Sequence, residues 1–446
     1  QEMPDPILPD FSVDFKNMNE QEIRKLTGQD SGDFFQNSIE IDFSTGLFGD
    51  KDNLISNHII KEIQDNQLPF TVRNKQENIS VLVANLFKIH ILNCRPYSRT
   101  YMDANEFTEI RSNSYFNIGY QGWANTVRIF EKLGYLTIFP GGYFEVQQTG
   151  YLTKLKISDK FKELVNKFNL TYQDILKRTP PISLKDSKDN EIKVINSKTT
   201  NPIRKRIERY NNLILSSDIE LLIDKIDYKR RKKVGFANRT YTKHYLDRSY
   251  KSGGKYYSPC WQNLSKELRK EIKINGQETV ELDFNAMHLH LLYCKVNKKL
   301  TNYIPEGTDA YQLPNRNRKI VKTSFTCCIN NNCNKDNVNQ VVGPKVARKF
   351  PEIFEKNTSY RDILDELGSH HPEVSQFFYA QIGNEVSNME SKVSDYIIGK
   401  LTRKNILVLN IHDSFIVSIP YKDILLNTMI DAFKYLKYSS IPRVSQ

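Results

Sequence analysis

The sequence has no long apolar run and no secretory leader pattern. No segment reaches about 18 consecutive apolar residues, the length that a membrane-spanning helix needs. The first residues, from Gln1 to Asp5, include acidic side chains where a signal peptide has basic ones. We therefore expect neither a transmembrane span nor a secretory signal, and we expect the protein in the cytoplasm.

Cysteine is scarce, with 6 residues in 446, and none is paired at the C-x-x-C spacing: Cys94, Cys260, Cys294, Cys327, Cys328 and Cys333. We interpret them as reduced thiols of a cytosolic protein. The group at 327, 328 and 333 is close enough in sequence to bind zinc, but it lacks an obvious fourth ligand. Zinc therefore remains the minor alternative.

Acidic residues are fewer than basic ones. The chain has 52 Asp and Glu against 64 Lys and Arg, which gives a formal net charge of +12 at pH 7. Such a balance favours a polyanionic partner but says nothing about fold. With 446 residues and 39% hydrophobic side chains, the chain is long enough for two or three domains with real cores.

A helix followed by a hairpin is predicted between Gln121 and residue 146. The apolar residues of the helix recur on one face, and Gly134 provides its stop: Trp123, Val127, Phe130 and Leu133. The turn Pro140-Gly141-Gly142 joins two strand-like segments into the hairpin, and a basic strand begins at Thr153.

This order of elements resembles the winged helix-turn-helix of plasmid replication initiators. In that family the helix enters a DNA groove and the hairpin contacts phosphates. The resemblance implies DNA contacts for Arg128 and Lys154. A small α+β packing module without DNA contact is the alternative.

Beyond a polar bridge at 185–191 the chain becomes basic. Basic residues lie at Arg204 to Arg206, at Arg209 and in the segment from Tyr228 to Lys233, and tyrosines lie among them. Cations beside aromatic rings suit phosphate neutralisation and stacking, so we expect Arg230 and Arg231 to contact nucleic acid. A solvated helix face would look similar.

Two aspartates occupy positions where strands end. Asp283 closes the apolar run from Val280 to Phe284, and a helical pattern follows it. Asp413 lies between two apolar strands, at the tip of a predicted hairpin. Because Asp is poorly suited to strands, these positions suggest metal ligands.

Four blocks occur in the order typical of family A DNA polymerases and the single-subunit phage-type RNA polymerases. The first is the segment from Gly253 to Asn263, which resembles the one before the first palm motif. The second contains Asp283, the third is Arg318-x3-Lys322-x3-Thr326-x3-Asn330, and the fourth is Ile411-His-Asp-Ser-Phe415. We therefore identify residues 250–446 as resembling this superfamily.

The resemblance implies a role for each matching residue. Asp283 and Asp413 would bind two Mg2+ ions, with Mn2+ as the alternative, and the main-chain carbonyl of Phe284 would be a further ligand. Lys322 would also protonate pyrophosphate as a general acid. The residues implied in nucleotide binding are Arg318, Lys322, His288, Phe325 and Thr326. Those implied in nucleic-acid binding are Lys255, Tyr256, Gln262, Asn263 and His412.

The departures from the family concern the choice of sugar. His288 stands where the DNA polymerases have a Glu that excludes a ribose 2′-hydroxyl and where the RNA polymerases have Gly. The Tyr-Gly of the fingers helix is missing, with Phe325 as the substitute for the stacking ring. The His-Asp-Ser form and the missing Glu favour RNA or primer synthesis, and the missing Tyr-Gly argues against it. The product stays undecided, with a slight preference for RNA or primer synthesis. We expect no proofreading exonuclease domain before the blocks.

The expected architecture is α+β, a right-hand polymerase with an antiparallel palm sheet and helical fingers and thumb, preceded by a winged helix-turn-helix domain. We expect an N-terminal region of undefined role (1–75), the winged-helix domain (76–180), a basic linker or thumb-like segment (181–250) and the palm with fingers (251–446). The partners would be a DNA template, nucleoside triphosphates and an RNA product or primer, in a plasmid, phage or mobile element. A non-catalytic DNA-binding replication initiator with a relic palm is the alternative.

Overall fold

The computed structural model describes residues 38–92, 97–100, 102, 107, 116, 118–139, 141–144, 149–227, 231, 233–305, 307–330 and 333–446. The fold is mixed α+β, as expected. The chain divides into two compact units: residues 1–179 with 223–239, and residues 180–222 with 240–446. The expected basic segment 181–250 is thus shared between the units. Within the described residues, no helix is both long and apolar enough to cross a membrane.

The first unit contains helices α1 to α4 and strands β1 to β8. Its helices are α1 (Asp50–Asp65), α2 (Lys75–Leu92), α3 (Tyr120–Lys132) and α4 (Asp159–Lys167). Its strands are β1 (Ile39–Glu40), β2 (Thr45–Leu47), β3 (Tyr97–Thr100), β4 (Leu136–Phe139), β5 (Gly142–Phe144), β6 (Thr149–Tyr151), β7 (Thr153–Ile157) and β8 (Ile175–Lys177). They form a four-stranded sheet in the order β1-β3-β7-β4 and the pairs β2-β8 and β5-β6.

Helix α3 ends where the sequence predicts it. Trp123, Val127 and Phe130 are buried on one face. The helix stops because Gly134 adopts a positive φ of 79°, and the Tyr135 amide turns back to the Phe130 carbonyl.

The hairpin after α3 differs from the prediction. Gly141 and Gly142 do not form a turn between two paired strands, because β4 pairs with β7 (Leu136 opposite Ile157) while β5 pairs with β6. Pro140 of the predicted turn lies outside the described residues. The chain runs past the glycines into a second ladder, so the hairpin is longer than expected.

The second unit contains helices α5 to α12 and strands β9 to β18. Its helices are α5 (Thr200–Leu215), α6 (Lys266–Arg269), α7 (Met287–Lys295), α8 (Arg318–Ile329), α9 (Val338–Lys349), α10 (Tyr360–His370), α11 (Gly383–Arg403) and α12 (Lys422–Tyr435). Its strands are β9 (Ile182–Lys185), β10 (Glu191–Ile192), β11 (Ile219–Glu220), β12 (Thr242–Leu246), β13 (Ser249–Tyr257), β14 (Lys273–Ile274), β15 (Gln277–Phe284), β16 (Leu409–Ile411), β17 (Ser414–Ser418) and β18 (Val444–Ser445).

The sheet that contains the candidate site has the order β11-β14-β15-β17-β16, with β18 also paired to β15. Strand β15 alternates strictly: Val280, Leu282 and Phe284 are buried, whereas Glu281 and Asp283 face the partly exposed side. Burial of one face fixes the register, because a slip by one residue would bury both carboxylates.

The other sheet of this unit has the order β10-β9-β12-β13, and α11 packs against β13, α5, α7 and α12. Helices α8, α9 and α10 pack against one another as a separate helical cluster. The apolar stripe predicted for α11 is largely confirmed, since Val386, Val393 and Ile397 are fully buried and Met389 is half-buried.

Asp395 of α11 binds three groups at the interface with β12, β13 and α5. Its carboxylate accepts hydrogen bonds from Lys243 Nζ at 2.7 Å and from the Tyr256 hydroxyl at 2.6 Å. It also pairs with Arg206 Nη1 at 2.9 Å. The Lys243 side chain is 1% exposed, so Asp395 neutralises a buried ammonium.

Replacing Asp395 should destabilise the second unit strongly. Asp395→Asn leaves the buried Lys243 ammonium without its counter-charge, which should lower the free energy of unfolding by about 3 kcal/mol. Chemical denaturation followed by circular dichroism measures this. The control is Asp431→Asn, which removes a more exposed pair with Lys400 and should cost about 0–1 kcal/mol. Equal losses in both variants would contradict this account.

Candidate functional site

Strands β15 and β17 bring Asp283 and Asp413 together. Asp283 lies opposite Ser414, the residue after Asp413, in the antiparallel ladder. Burial, and then the charge of Asp413, raises the pKa of the Asp283 carboxyl to about 7, against the opposing effect of Lys322. One oxygen, Asp283 Oδ1, is buried and has no hydrogen-bond partner among the described residues. A buried oxygen of this kind is suited to a cation.

Asp413 stands at the tip of the predicted hairpin, which the structure has as β16 and β17. The two-residue turn of His412 and Asp413 is possible because His412 adopts a positive φ of 58°. The Asn410 amide closes the turn by donating to the His412 carbonyl at 2.9 Å. His412 is exposed, and its ring lies 5.8 Å from that of Tyr257.

The neighbouring carboxylate, Glu281, is already engaged. It forms a two-point ion pair with Arg269, at 2.9 and 2.8 Å, and accepts from the Ser414 hydroxyl at 2.7 Å. Burial would raise the pKa of Glu281, but these partners lower it. Glu281 therefore stays ionised as a structural group, and Asp283 and Asp413 remain as the pair for a ligand.

Helix α8 presents its predicted polar face. Asn317 caps it by accepting from the Lys319 amide at 2.9 Å. Arg318 and Lys322 are exposed and Thr326 is half-buried, at the spacing of one helical face. The charge of Lys322 acts to lower the pKa of Asp283, against burial and Asp413.

The surroundings of Phe325 correct the prediction that its ring stacks on the templating base pair. Phe325 is 0% exposed and packs on Tyr311 and Phe378, so its ring cannot stack on a base pair. Arg318 pairs with Asp309 and lies 5.8 Å from the centre of the Tyr311 ring. Burial, and then Asp413, raises the pKa of Tyr311, so this tyrosine also borders the site. Tyr311 was not predicted, because no period or motif marks it.

Glu390 of α11 connects Lys255 with His288. It is 2% exposed and binds Lys255 Nζ at 2.7 Å and His288 Nε2 at 2.8 Å. Burial would raise the pKa of Glu390, but the two partners lower it to about 2. Burial lowers the pKa of Lys255, but Glu390, Tyr257 and Asp413 together raise it above its ordinary value, so the ammonium responds to the charge of Asp413. The only signal for Glu390 in the sequence was an acidic residue beside the apolar stripe of α11.

The two glycines before Lys255 explain its position. Gly253 and Gly254 have positive φ angles of 68° and 88°. A Cβ on Gly254 would come within 3.0 Å of the Ser391 hydroxyl of α11. The glycine carbonyls accept from Asn388 at 3.1 Å and Ser391 at 2.6 Å, which fixes β13 against the helix that carries Glu390.

Two other residues of the block are structural. Tyr256 is 2% exposed and donates to Asp395, which corrects its expected role because a buried ring cannot stack on nucleic acid. Gln262 donates to the carbonyls of Tyr256 and Asn410, at 3.0 and 3.1 Å, and so supports β16. Asn263 is exposed.

The basic residues before this block that are predicted to contact nucleic acid are only partly accessible. Arg128 is exposed on α3. Lys154 is 2% exposed, and burial lowers its pKa to about 7, so it is a poor phosphate contact. Arg231 donates to the carbonyls of Ile226 and Ile91, at 3.0 and 3.2 Å, and is structural. Arg230 lies outside the described residues.

The donor set for a metal consists of two carboxylates. Within the described part of the chain, no three His, Cys, Asp or Glu side chains are grouped to hold an ion, and this includes Cys327, Cys328 and Cys333. Mg2+ is usually bound by one or two carboxylates together with water and substrate phosphates, so Asp283 and Asp413 fit it. The Phe284 main chain pairs with Val444, and its carbonyl as a ligand stays a prediction.

Asp283 should make the folding stability depend on pH. Its folded-state pKa of about 7 lies above the ordinary value of 3.8, so the folded state loses stability as the pH rises between these values. Asp283→Asn removes this cost and should stabilise the protein by about 2 kcal/mol at pH 8, with some allowance for solvent screening, and hardly at pH 4.

Thermal unfolding at both pH values without divalent cations tests this expectation. The control, Asp423→Asn, changes an exposed carboxylate on α12. A gain for Asp283→Asn that is the same at both pH values would argue against the repulsion.

No protein-family model and no curated protein sequence matches this chain. The chemistry of the site therefore rests on Asp283, Asp413 and the cations around them.

Proposed function

We propose that the protein joins nucleotides on a nucleic-acid template, with the second unit as a right-hand polymerase. The supporting observation is the pair of carboxylates on adjacent strands, with the buried Asp283 Oδ1 free of hydrogen bonds among the described residues. In this reading the sheet with β15 and β17 is the palm, and the cluster of α8, α9 and α10 is a small fingers subdomain. The sequence blocks support the same assignment.

Asp283 and Asp413 hold Mg2+ in this proposal. When bound, the metal supplies activation of the attacking 3′-oxygen and stabilisation of the leaving pyrophosphate. The carboxylates keep the growing 3′ end and the triphosphate at one point of the sheet. Because the pKa of Asp283 is raised to about 7 before a cation arrives, cation binding releases a proton near neutral pH.

The cations of the site receive the negative charge of the substrates. Arg318 and Lys322 project from one face of α8 toward the triphosphate, and Lys322 donates a proton to pyrophosphate as it leaves. Lys255 is held rigidly by Glu390 at 2.7 Å, which positions its ammonium toward the nucleic-acid backbone. His412, exposed at the hairpin tip, contacts the phosphate of the primer end.

His288 is the candidate for the choice of sugar. Glu390 orients its ring through the 2.8 Å contact, so its position is defined rather than free. Neither dNTPs nor NTPs are favoured by this geometry alone, and both pools belong in the assay.

Loss of Asp413 should abolish synthesis. Asp413→Asn removes one cation ligand and should lower incorporation about 10³-fold or more, with little loss of DNA binding. Extension of a labelled primer on a DNA template, and synthesis without primer, measure this with separate dNTP and NTP pools and Mg2+ or Mn2+. Asp423→Asn is the matched control and should incorporate like the wild type.

The same assay separates this proposal from the alternative, a DNA-binding replication initiator without activity. Equal incorporation by wild type and Asp413→Asn would contradict the catalytic assignment. No incorporation by the wild type with either pool, while DNA is bound, would favour the initiator.

The first unit has a surface suited to DNA, whether the protein is a polymerase or a replication initiator without activity. On α3, four exposed or half-buried polar side chains form a stripe at helical spacing, with the half-buried Tyr120 and Glu131 beside it: Gln121, Asn125, Arg128 and Lys132. Amides and cations of this kind contact base edges and phosphates. Together with the long hairpin that follows α3, this stripe supports a winged helix-turn-helix function.

Removing the cations of this stripe should weaken DNA binding. Arg128→Ala with Lys132→Ala should lower the affinity for duplex DNA roughly tenfold and reduce the dependence of log affinity on log salt by up to about 2. Fluorescence anisotropy across a salt series measures both quantities. Lys61→Ala with Arg73→Ala removes the same charge from exposed positions elsewhere on the unit. If both double variants bind alike, α3 is not the contact surface.

A further inference from the structure

A small cavity lies between helices α5 and α11, away from the carboxylates. Its volume is about 190 Å3. Helix α5 lines it with Pro202, Lys205, Arg206 and Arg209, and α11 with Gly399, Thr402 and Arg403. Both sets follow the spacing of one helical face, so the cavity is built by two stripes that face each other.

The cations of this cavity exceed its anions. Arg206 is neutralised by Asp395 at 2.9 Å. Lys205, Arg209 and Arg403 are exposed and, within the described residues, form no salt bridge. Among the residues that the structure describes, no acidic side chain lines the cavity. Three positive charges therefore surround a space that has no negative partner of its own.

The Thr402 hydroxyl is a second and independent indication of a ligand. Thr402 is 9% exposed, and its Oγ1 is buried without a hydrogen-bond partner among the described residues. Other helical hydroxyls, those of Ser324, Thr326 and Thr428, donate to the carbonyl four residues earlier. A buried hydroxyl without a partner costs free energy, and a ligand oxygen in the cavity would remove that cost.

We propose that this cavity binds a backbone phosphate of a nucleic-acid strand, an assignment that rests on the proposed function of the second unit. The cavity is smaller than the roughly 300–1,000 Å3 of small-molecule sites, so it suits one phosphate and leaves sugar and base outside. The exposed cations at its rim allow entry of a phosphate that remains part of a chain.

The cavity lies on the helix that also carries Glu390. Thr402 lies twelve residues after Glu390 on α11, about 18 Å along the helix at about 1.5 Å per residue. Twelve residues make about three and a third turns, so the two residues lie on different faces of α11. The cavity would therefore bind a strand away from the pair of aspartates.

The sharpest test is Thr402→Val, which keeps the shape of the side chain and removes the hydroxyl. Because that hydroxyl has no partner among the described residues, the melting temperature should stay the same or rise, whereas the affinity for a labelled primer–template duplex should fall about tenfold. A purely structural role would change these two quantities in the same direction. Unchanged affinity in Thr402→Val overturns the proposal.

A charge variant provides the second measurement. Arg209→Gln with Arg403→Gln should lower the affinity for the duplex and reduce the salt slope by about 1, the value for one phosphate. Lys434→Gln with Lys437→Gln removes the same charge from exposed positions of the second unit and should change the slope less. If both double variants change the affinity and the salt slope equally, the effect comes from net charge alone, and the proposed phosphate site is overturned.

Two further outcomes separate the ligands and the proposals. If inorganic phosphate raises the melting temperature of the wild type but not of Thr402→Val, while DNA affinity is equal in both, the ligand is a free anion and the backbone assignment is overturned. Because all readouts are binding and melting measurements on the full chain, they hold even if no nucleotide incorporation is found. Failure of the cavity would likewise leave the effect of Asp413→Asn on synthesis unchanged.

Discussion

The second unit depends on the antiparallel pairing of β15 with β17, which places two carboxylates beside each other. Burial of Asp283, and then repulsion by the like charge of Asp413, raises the pKa of the Asp283 carboxyl. The sheet tolerates it because the opposite face of β15 is apolar and buried, so no other register is available. A cation bound between the two carboxylates would remove their repulsion, and this gain would strengthen its binding.

The other carboxylates around the two aspartates are paired with cations of the protein. Glu281 is neutralised by Arg269, and Glu390 by Lys255 and His288, which leaves the pair of aspartates as the charge available to a ligand. The ammonium of Lys322 lies near that pair without a salt bridge of its own among the described residues. The ion pairs of Glu281 with Arg269 and of Glu390 with Lys255 are short, so these side chains need little rearrangement when a charged substrate binds.

The sequence was most informative where a residue's role follows from its local position. Asp283 at a strand end, Asp413 at a hairpin tip and Arg318 with Lys322 on one helical face could all be predicted, because strand and helix periodicity determine those positions. The helix stop at Gly134 belongs to the same class. In each case a short segment contained the necessary information.

Other roles depend on contacts between segments that are far apart in the sequence. Lys154, Tyr256 and Phe325 were expected at surfaces but are buried, since a cation or an aromatic ring in a sequence does not indicate which side of its strand or helix is covered. Glu390 and Tyr311 border the site through contacts between distant segments, which no local pattern contains.

The sequence by itself determined the α+β class, the end of α3 at Gly134 and the positions of the two aspartates near strand ends, because these follow from local periodicity and backbone chemistry. The tertiary structure alone decided which cations remain accessible and which are neutralised, and it created the cavity between α5 and α11. The physical reason is that burial and charge pairing are properties of neighbours in space, and those neighbours come from segments far apart in the chain.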